Sequence, residues 1–156
     1  MAHADELKEM ASRYPTGVVV ITAHGPHGPA GFTAQTFVSL SLEPPLVSFA
    51  VASEGKSWAT MRDATYFGVN VLRADQAELA VQFATSGIDK YEGVSWRPGP
   101  DGSPFLEGAL AWLEGERVAE SRYGDHDVVV LSAAHVEYGE GEPLIYHRRG
   151  FRSLES

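Results

Sequence analysis

Turn residues recur so often along this chain that no apolar run has room to become a long helix. With 16 glycines and 9 prolines among 156 residues, breaker clusters at 24–29, 43–45, 98–104 and 139–143 cut the sequence into pieces of strand length. The first piece carries Val18, Val19, Val20 and Ile21, whose branching at Cβ favours pleated backbone. Strands are expected over 17–22, 37–42, 46–52, 66–72, 109–118, 128–138 and 144–147. Helices are expected over 5–14, stopped by Pro15; over 57–62, capped by Ser57; and over 75–84, where Asp75 and Glu78 have the spacing of a capping box. Many short strands with few helices predict a mainly β, antiparallel barrel or sandwich. No repeat or linker divides the chain, so 1–156 reads as a single domain.

Charge and missing residue types narrow the function. Twelve Lys plus Arg against 21 Asp plus Glu leave a formal net charge of -9, which disfavours a phosphate-tracking surface, so no nucleic-acid partner is expected. An anionic ligand would have to be held by a local group of donors. The absence of cysteine removes disulfides, thiolate metal sites and a Cys nucleophile. Residues 1–10 are too charged for a secretory signal, and the apolar stretch 46–52 is too short to cross a bilayer. No membrane association and a cytoplasmic location are expected.

The most informative segment is 31–57. Alternation over 37–42 sets Val38, Leu40 and Leu42 on one face and Phe37, Ser39 and Ser41 on the other. Over 46–52 it separates Val47, Phe49 and Val51 from Ser48, Ala50 and Ala52, a row small enough for a flat ligand to lie close to the backbone. Thr33, Gln35 and Thr36 add donors and acceptors suited to the polar edge of a heteroaromatic ring. A half-solvated antiparallel strand would show the same alternation. Ser53-Glu54-Gly55-Lys56-Ser57 enters a helix and offers amides, two hydroxyls and an ammonium to a phosphate, or is a plain capped helix start. Gly55-Lys56-Ser57 matches the end of a P-loop, but Ala50 stands where its first glycine should be, so triphosphate hydrolysis is rejected.

Among the histidines, His24 and His27 flank a Gly-Pro loop with no carboxylate near, and no metal site is expected. His126 lies between Asp125 and Asp127 at the mouth of a strand, where it can donate to an anionic or carbonyl group or serve the turn. No Gly-x-Ser-x-Gly elbow accompanies it. The C-terminal run with Tyr146, His147, Arg148, Arg149 and Arg152 is the one cationic cluster; it suits a second nucleotide or simple solvation.

Taken in order, the segments 14–22, 31–47, 67–72, 82–84, 89–91, 124–126 and 143–146 resemble the flavin reductase family of the FMN-binding split barrel, the small components of two-component flavin-dependent monooxygenases. The resemblance implies a homodimer of six-stranded antiparallel Greek-key split barrels with accessory α-helices. It implies FMN or FAD as flavin and NADH or NADPH as hydride donor, with reduced flavin passed to a partner oxygenase. By position, Thr33, Ala34, Gln35, Thr36 and Ser39 would meet the flavin ring or ribityl chain. Ala50, Ser53, Lys56, Ser57 and Trp58 would cover the lower chain and phosphate, with Phe83 closing nearby. His126, with Asp125, and Tyr146 with Arg149 would orient the nicotinamide nucleotide. Gln35 and Thr36 stand where the family often has Asn and Ser, keeping an amide and a hydroxyl. The same barrel is also compatible with a redox-inert flavin carrier, or with an oxidase of a phosphorylated vitamin, which would need a richer basic pocket.

Overall fold

The computed structural model describes residues 1–154. A long hairpin forms its spine: β9 (Ala111–Tyr123) and β10 (His126–Tyr138) are joined by Gly124 and Asp125. Gly124 takes φ 62°, the left-handed value that the first position of such a tight turn favours. Around this spine β2 (Val19–Gly25), β3 (Gly28–Ala34), β4 (Val38–Leu42), β5 (Pro45–Ala52) and β6 (Tyr66–Val71) complete an antiparallel sheet in the order β3-β2-β6-β9-β10-β5-β4. The principal sheet therefore has seven strands, where six were expected. The short strands β1 (Thr16–Gly17), β11 (Ile145–His147) and β12 (Gly150–Arg152) form a second sheet, and β7 (Trp96–Pro98) pairs with β8 (Pro104–Leu106).

Connectivity forces the large sheet to curl. Its two end strands, β3 and β4, are consecutive in the chain and joined only by residues 35–37. Laid flat, seven strands would separate those ends by about 29 Å, whereas the link reaches at most about 15 Å. The curled ends are fastened by Thr36, whose hydroxyl donates to the Ala50 carbonyl (2.7 Å) and accepts from the Ala50 amide (3.0 Å). Curling also accounts for the unbroken apolar run of β2. Val19, Ile21 and Ala23 enter the core inside the sheet with Phe49, Phe67 and Leu131. Val18 and Val20 face outward into a second core with Leu72, Phe83, Leu106 and Leu144. A strand covered on both faces needs no polar alternation.

Three helices dress the barrel: α1 (Ala4–Ala11), α2 (Lys56–Met61) and α3 (Ala77–Ala84), the last preceded by a 3-10 turn at Ala74–Gln76. Two expected caps are replaced. Gly55 precedes α2 with no side-chain cap, and Ser57 lies inside the helix. At the third helix Asp75 is held by the Arg73 guanidinium (2.9 Å), and Gln76 accepts the Arg73 amide (2.8 Å) in place of an Asp75–Glu78 box. The expected strands lacked β3, whose Gly28-Pro29-Ala30-Gly31 start has poor strand propensity. An end strand tolerates Pro29 because one of its sides needs no ladder partner. Gly31 is required there for another reason: a Cβ would lie 2.9 Å from the Ile21 carbonyl and 3.1 Å from the Phe83 ring.

Candidate functional site

Where the curled ends meet, β3 and β5 leave a cavity of about 890 Å³ between them, near the upper end of the range usual for small-molecule sites. One wall is Phe32 through Thr36, the other Ala50 through Ala52. The α2 start, the end of α3 and Leu7, Lys8 and Ala11 of α1 complete the lining. Val47, Phe49 and Val51 point into the core, so the alternation of β5 turns its small side chains outward. Ala50 and Ala52 thus form a shelf on which little stands above the backbone.

Ten of the residues singled out in the sequence line this cavity: Thr33, Ala34, Gln35, Thr36, Ala50, Lys56, Ser57, Trp58, Phe83 and His126. Several spend their polar atoms on the fold. Thr33 donates to the Ala80 carbonyl (2.6 Å), tying β3 to α3, and Thr36 is bound to Ala50 as described. Trp58 is buried, with its indole N–H donated to Asp127 (2.9 Å). Gln35 keeps its side-chain amide at the cavity edge, with its carbonyl oxygen 3.4 Å from the Thr16 hydroxyl.

Five candidates lie outside the lining. Ser39 is exposed on β4, because the 35–37 link carries that strand to the far side of β5. The shelf is therefore built by β3 and β5, with β4 outside it. Ser53 is buried and donates to Asp127 (2.7 Å). Asp125 stands behind His126, its carboxylate 2.8 Å from the imidazole Nδ1. That hydrogen bond is the main reason the Asp125 carboxyl is held below its ordinary range. Tyr146 and Arg149 line a neighbouring pocket of about 340 Å³ that shares Thr33, Gln35 and Ala84 with the large cavity. Arg149 also pairs with Glu9 of α1 at 3.2 Å.

His126 reaches the rim through an interlock of hairpin and helix. At the hairpin tip the Asp125 carbonyl accepts the Ser53 amide (2.9 Å), and His126 opposes Ala52 across the β5–β10 ladder. One residue on, the buried Asp127 accepts from Ser53, from Trp58 and from the Arg62 guanidinium (2.8 Å). The Ser53 and Trp58 hydrogen bonds, then Arg62, hold its carboxyl below the usual range. An acid on the face shared with Val129 and Leu131 was the sequence signal for this network.

Lys90 is the site residue with no local signal beyond the segment that resembles the family. Its ammonium donates to the Ser57 hydroxyl (2.6 Å) and the Gly31 carbonyl (3.2 Å) and makes no ion pair among the described residues. Burial pushes its pKa down. A partly buried cation served only by neutral acceptors is a place where an anion is stabilised.

The chain matches the flavin reductase like domain over residues 10–155. It is 35% identical over 151 residues to the flavin-dependent monooxygenase reductase subunit HsaB of Mycobacterium tuberculosis, covering 95% of this chain and 81% of that protein. It is 35% identical over 138 residues to the FMN reductase (NADH) SmoA of Agrobacterium fabrum, covering 88% of this chain and 79% of the relative. The solved structure of Streptomyces globisporus NADH:FAD oxidoreductase SgcE6, in complex with NAD and FAD fragments, superposes with a TM-score of 0.89 at 31% identity. That match covers 95% of this chain and 90% of the other. A shelf of small residues, a polar rim and a lysine without an ion pair among the described residues thus occur in a chain that belongs to the flavin reductase-like domain family.

Proposed function

We propose that this protein is an NAD(P)H-dependent flavin reductase supplying reduced flavin to a separate flavin-dependent oxygenase. The observation that carries the reading is the 890 Å³ cavity, roomy enough for two flat rings, with the Ala50–Ala52 shelf on one side and Lys90 at its base. The residues present fit a flavin nucleotide: small side chains for the ring, amide and hydroxyl groups for its polar edge, and cations for the phosphate end. When bound, the nicotinamide nucleotide donates a hydride that the flavin accepts. The protein's task is to hold and orient both.

In this reading Lys90, Lys56 and Ser57 hold the phosphate end, and Lys90 regains a counter-charge when they do. Backbone amides of 33–36 and the Gln35 amide address the ring edge. Asp125 takes the Nδ1–H of His126, which fixes the imidazole and leaves Nε2 for the nicotinamide nucleotide. Tyr146 and Arg149, in the adjoining pocket, extend that second nucleotide site. His126 positions; no acid–base dyad is needed when the cofactors carry the chemistry.

The chain is further proposed to act as a single domain and as a homodimer, consistent with the exposed Val38, Leu40 and Leu42 side chains of the end strand β4. The relatives named as monooxygenase reductase subunits support an oxygenase as recipient. The proposed setting is the cytoplasm; no described helix is long and apolar enough to cross a membrane. The test is anaerobic: catalytic amounts of protein with excess NADH or NADPH and FMN or FAD should bleach the flavin absorbance over many turnovers. Tight flavin binding without bleaching would identify a carrier and overturn the assignment.

A further inference from the structure

The large cavity does not end at Lys90. Beyond it a second cavity of about 230 Å³ opens, and the two share Lys56, Ser57, Ser86 and Lys90 as a common threshold. Its far walls are the 29–31 backbone with Tyr91 on one side, and Thr60 with the 86–89 loop on the other. Gly87, at φ 80°, turns that loop in a conformation that a side chain would strain. Ile88 is half exposed there and offers an apolar face. Asp89 binds the Tyr91 amide through one carboxylate oxygen (3.1 Å), leaving the other as an acceptor. Tyr91 is locked by its hydroxyl on the Ala30 carbonyl (2.8 Å) and by edge contacts with Phe83 and Trp96. The wall it forms is rigid.

We infer that the preferred flavin is FAD, with its diphosphate crossing the Lys56–Lys90 threshold and its adenosine end seated in the smaller cavity. The inference rests on the flavin reading above and deepens it. Charge does not separate the candidates, because a terminal phosphate and a diphosphate both satisfy Lys90. The space beyond the threshold does. FMN ends at the two lysines and would leave the second cavity to water, whereas a nucleoside there meets an apolar face for its base and a carboxylate for ribose hydroxyls.

Isothermal titration calorimetry on the full chain tests this. FAD should bind at least tenfold more tightly than FMN. Thr60→Trp, at an exposed position of α2 that faces the small cavity, should weaken FAD about tenfold and leave FMN unchanged. Adenosine added to the unmodified protein should raise the apparent Kd of FAD alone, a result independent of whether the variant folds. Equal or tighter FMN binding, or adenosine acting on both flavins or on neither, overturns the FAD assignment while the flavin reading stands. Failure of both flavins to bind overturns both.

Discussion

At the scale of single residues, the division between holding the fold and meeting the ligand decides what substitution does. His126 sits at the rim with Asp125 behind it and bonds nothing in the core. His126→Ala should therefore raise KM for the nicotinamide nucleotide about tenfold, the worth of one hydrogen bond to a charged group. Flavin affinity and melting temperature should hold. Steady-state kinetics with each substrate varied in turn check this, and an unchanged KM would remove His126 from the site. Trp58 and Ser53 behave oppositely, since both serve Asp127. The resemblance set Ser53 and Trp58 beside the lower flavin chain and phosphate, whereas both donate to Asp127, because a hydroxyl or indole N–H looks the same in sequence whether it faces a ligand or a buried carboxylate. Lys90 was hardest to read: it lies 34 positions after Lys56 in the chain, and only folding brings it to Ser57.

Among elements, the joint between the β9–β10 hairpin and α2 is where site and stability meet. Asp127 is buried and accepts three hydrogen bonds that favour its ionised form. Its folded pKa is lowered, so the stabilisation is fully present above the ordinary Asp value of about 4 and is lost as pH falls through the lowered folded value. Asp127→Asn should cost about 1.5–3 kcal/mol at neutral pH, the range for hydrogen bonds to a charged group. It should also flatten the fall of melting temperature in acid below about pH 4, as followed by circular dichroism. A variant that melts in parallel with the parent across that range would show that Asp127 does not carry the dependence. Strands announced by β-branched runs, β2, β5 and β10, were legible, because their side-chain pattern and their burial have one cause. Strand β3 was not, since Gly31 is there to make room for Phe83, a contact that local propensity cannot express.

For the whole molecule, the turns and the Val-rich run predicted an antiparallel barrel or sandwich, and the family resemblance chose the barrel. Simple alternation put Val38, Leu40 and Leu42 on one face of the 37–42 strand, but the register shift at Leu40 sets Val38 opposite Ser48 and Leu42 opposite Pro45, on opposite faces. The chain buries neither face of β4 fully: Val38, Leu40 and Leu42 are 51%, 52% and 88% exposed on an end strand with one unpaired edge. Leu40 falls at the register shift between Ser39 and Ser41, where a bulge disturbs the edge and discourages open-ended strand addition. A second copy covering this strand would remove large apolar side chains from water at about 1.5–3 kcal/mol each when fully buried. That gain opposes the repulsion between two chains that each carry a formal net charge of -9. Salt screens the repulsion without weakening the apolar term. The unmodified protein should therefore behave as a dimer in light scattering, with dissociation on dilution easier at low ionic strength. Leu40→Glu would bring two further like charges together at the contact and should leave monomers at the same concentration, with the core and its melting transition intact. A Leu40→Glu protein that stays dimeric, or a parent that is monomeric at every concentration, would exclude β4 as the contact between copies.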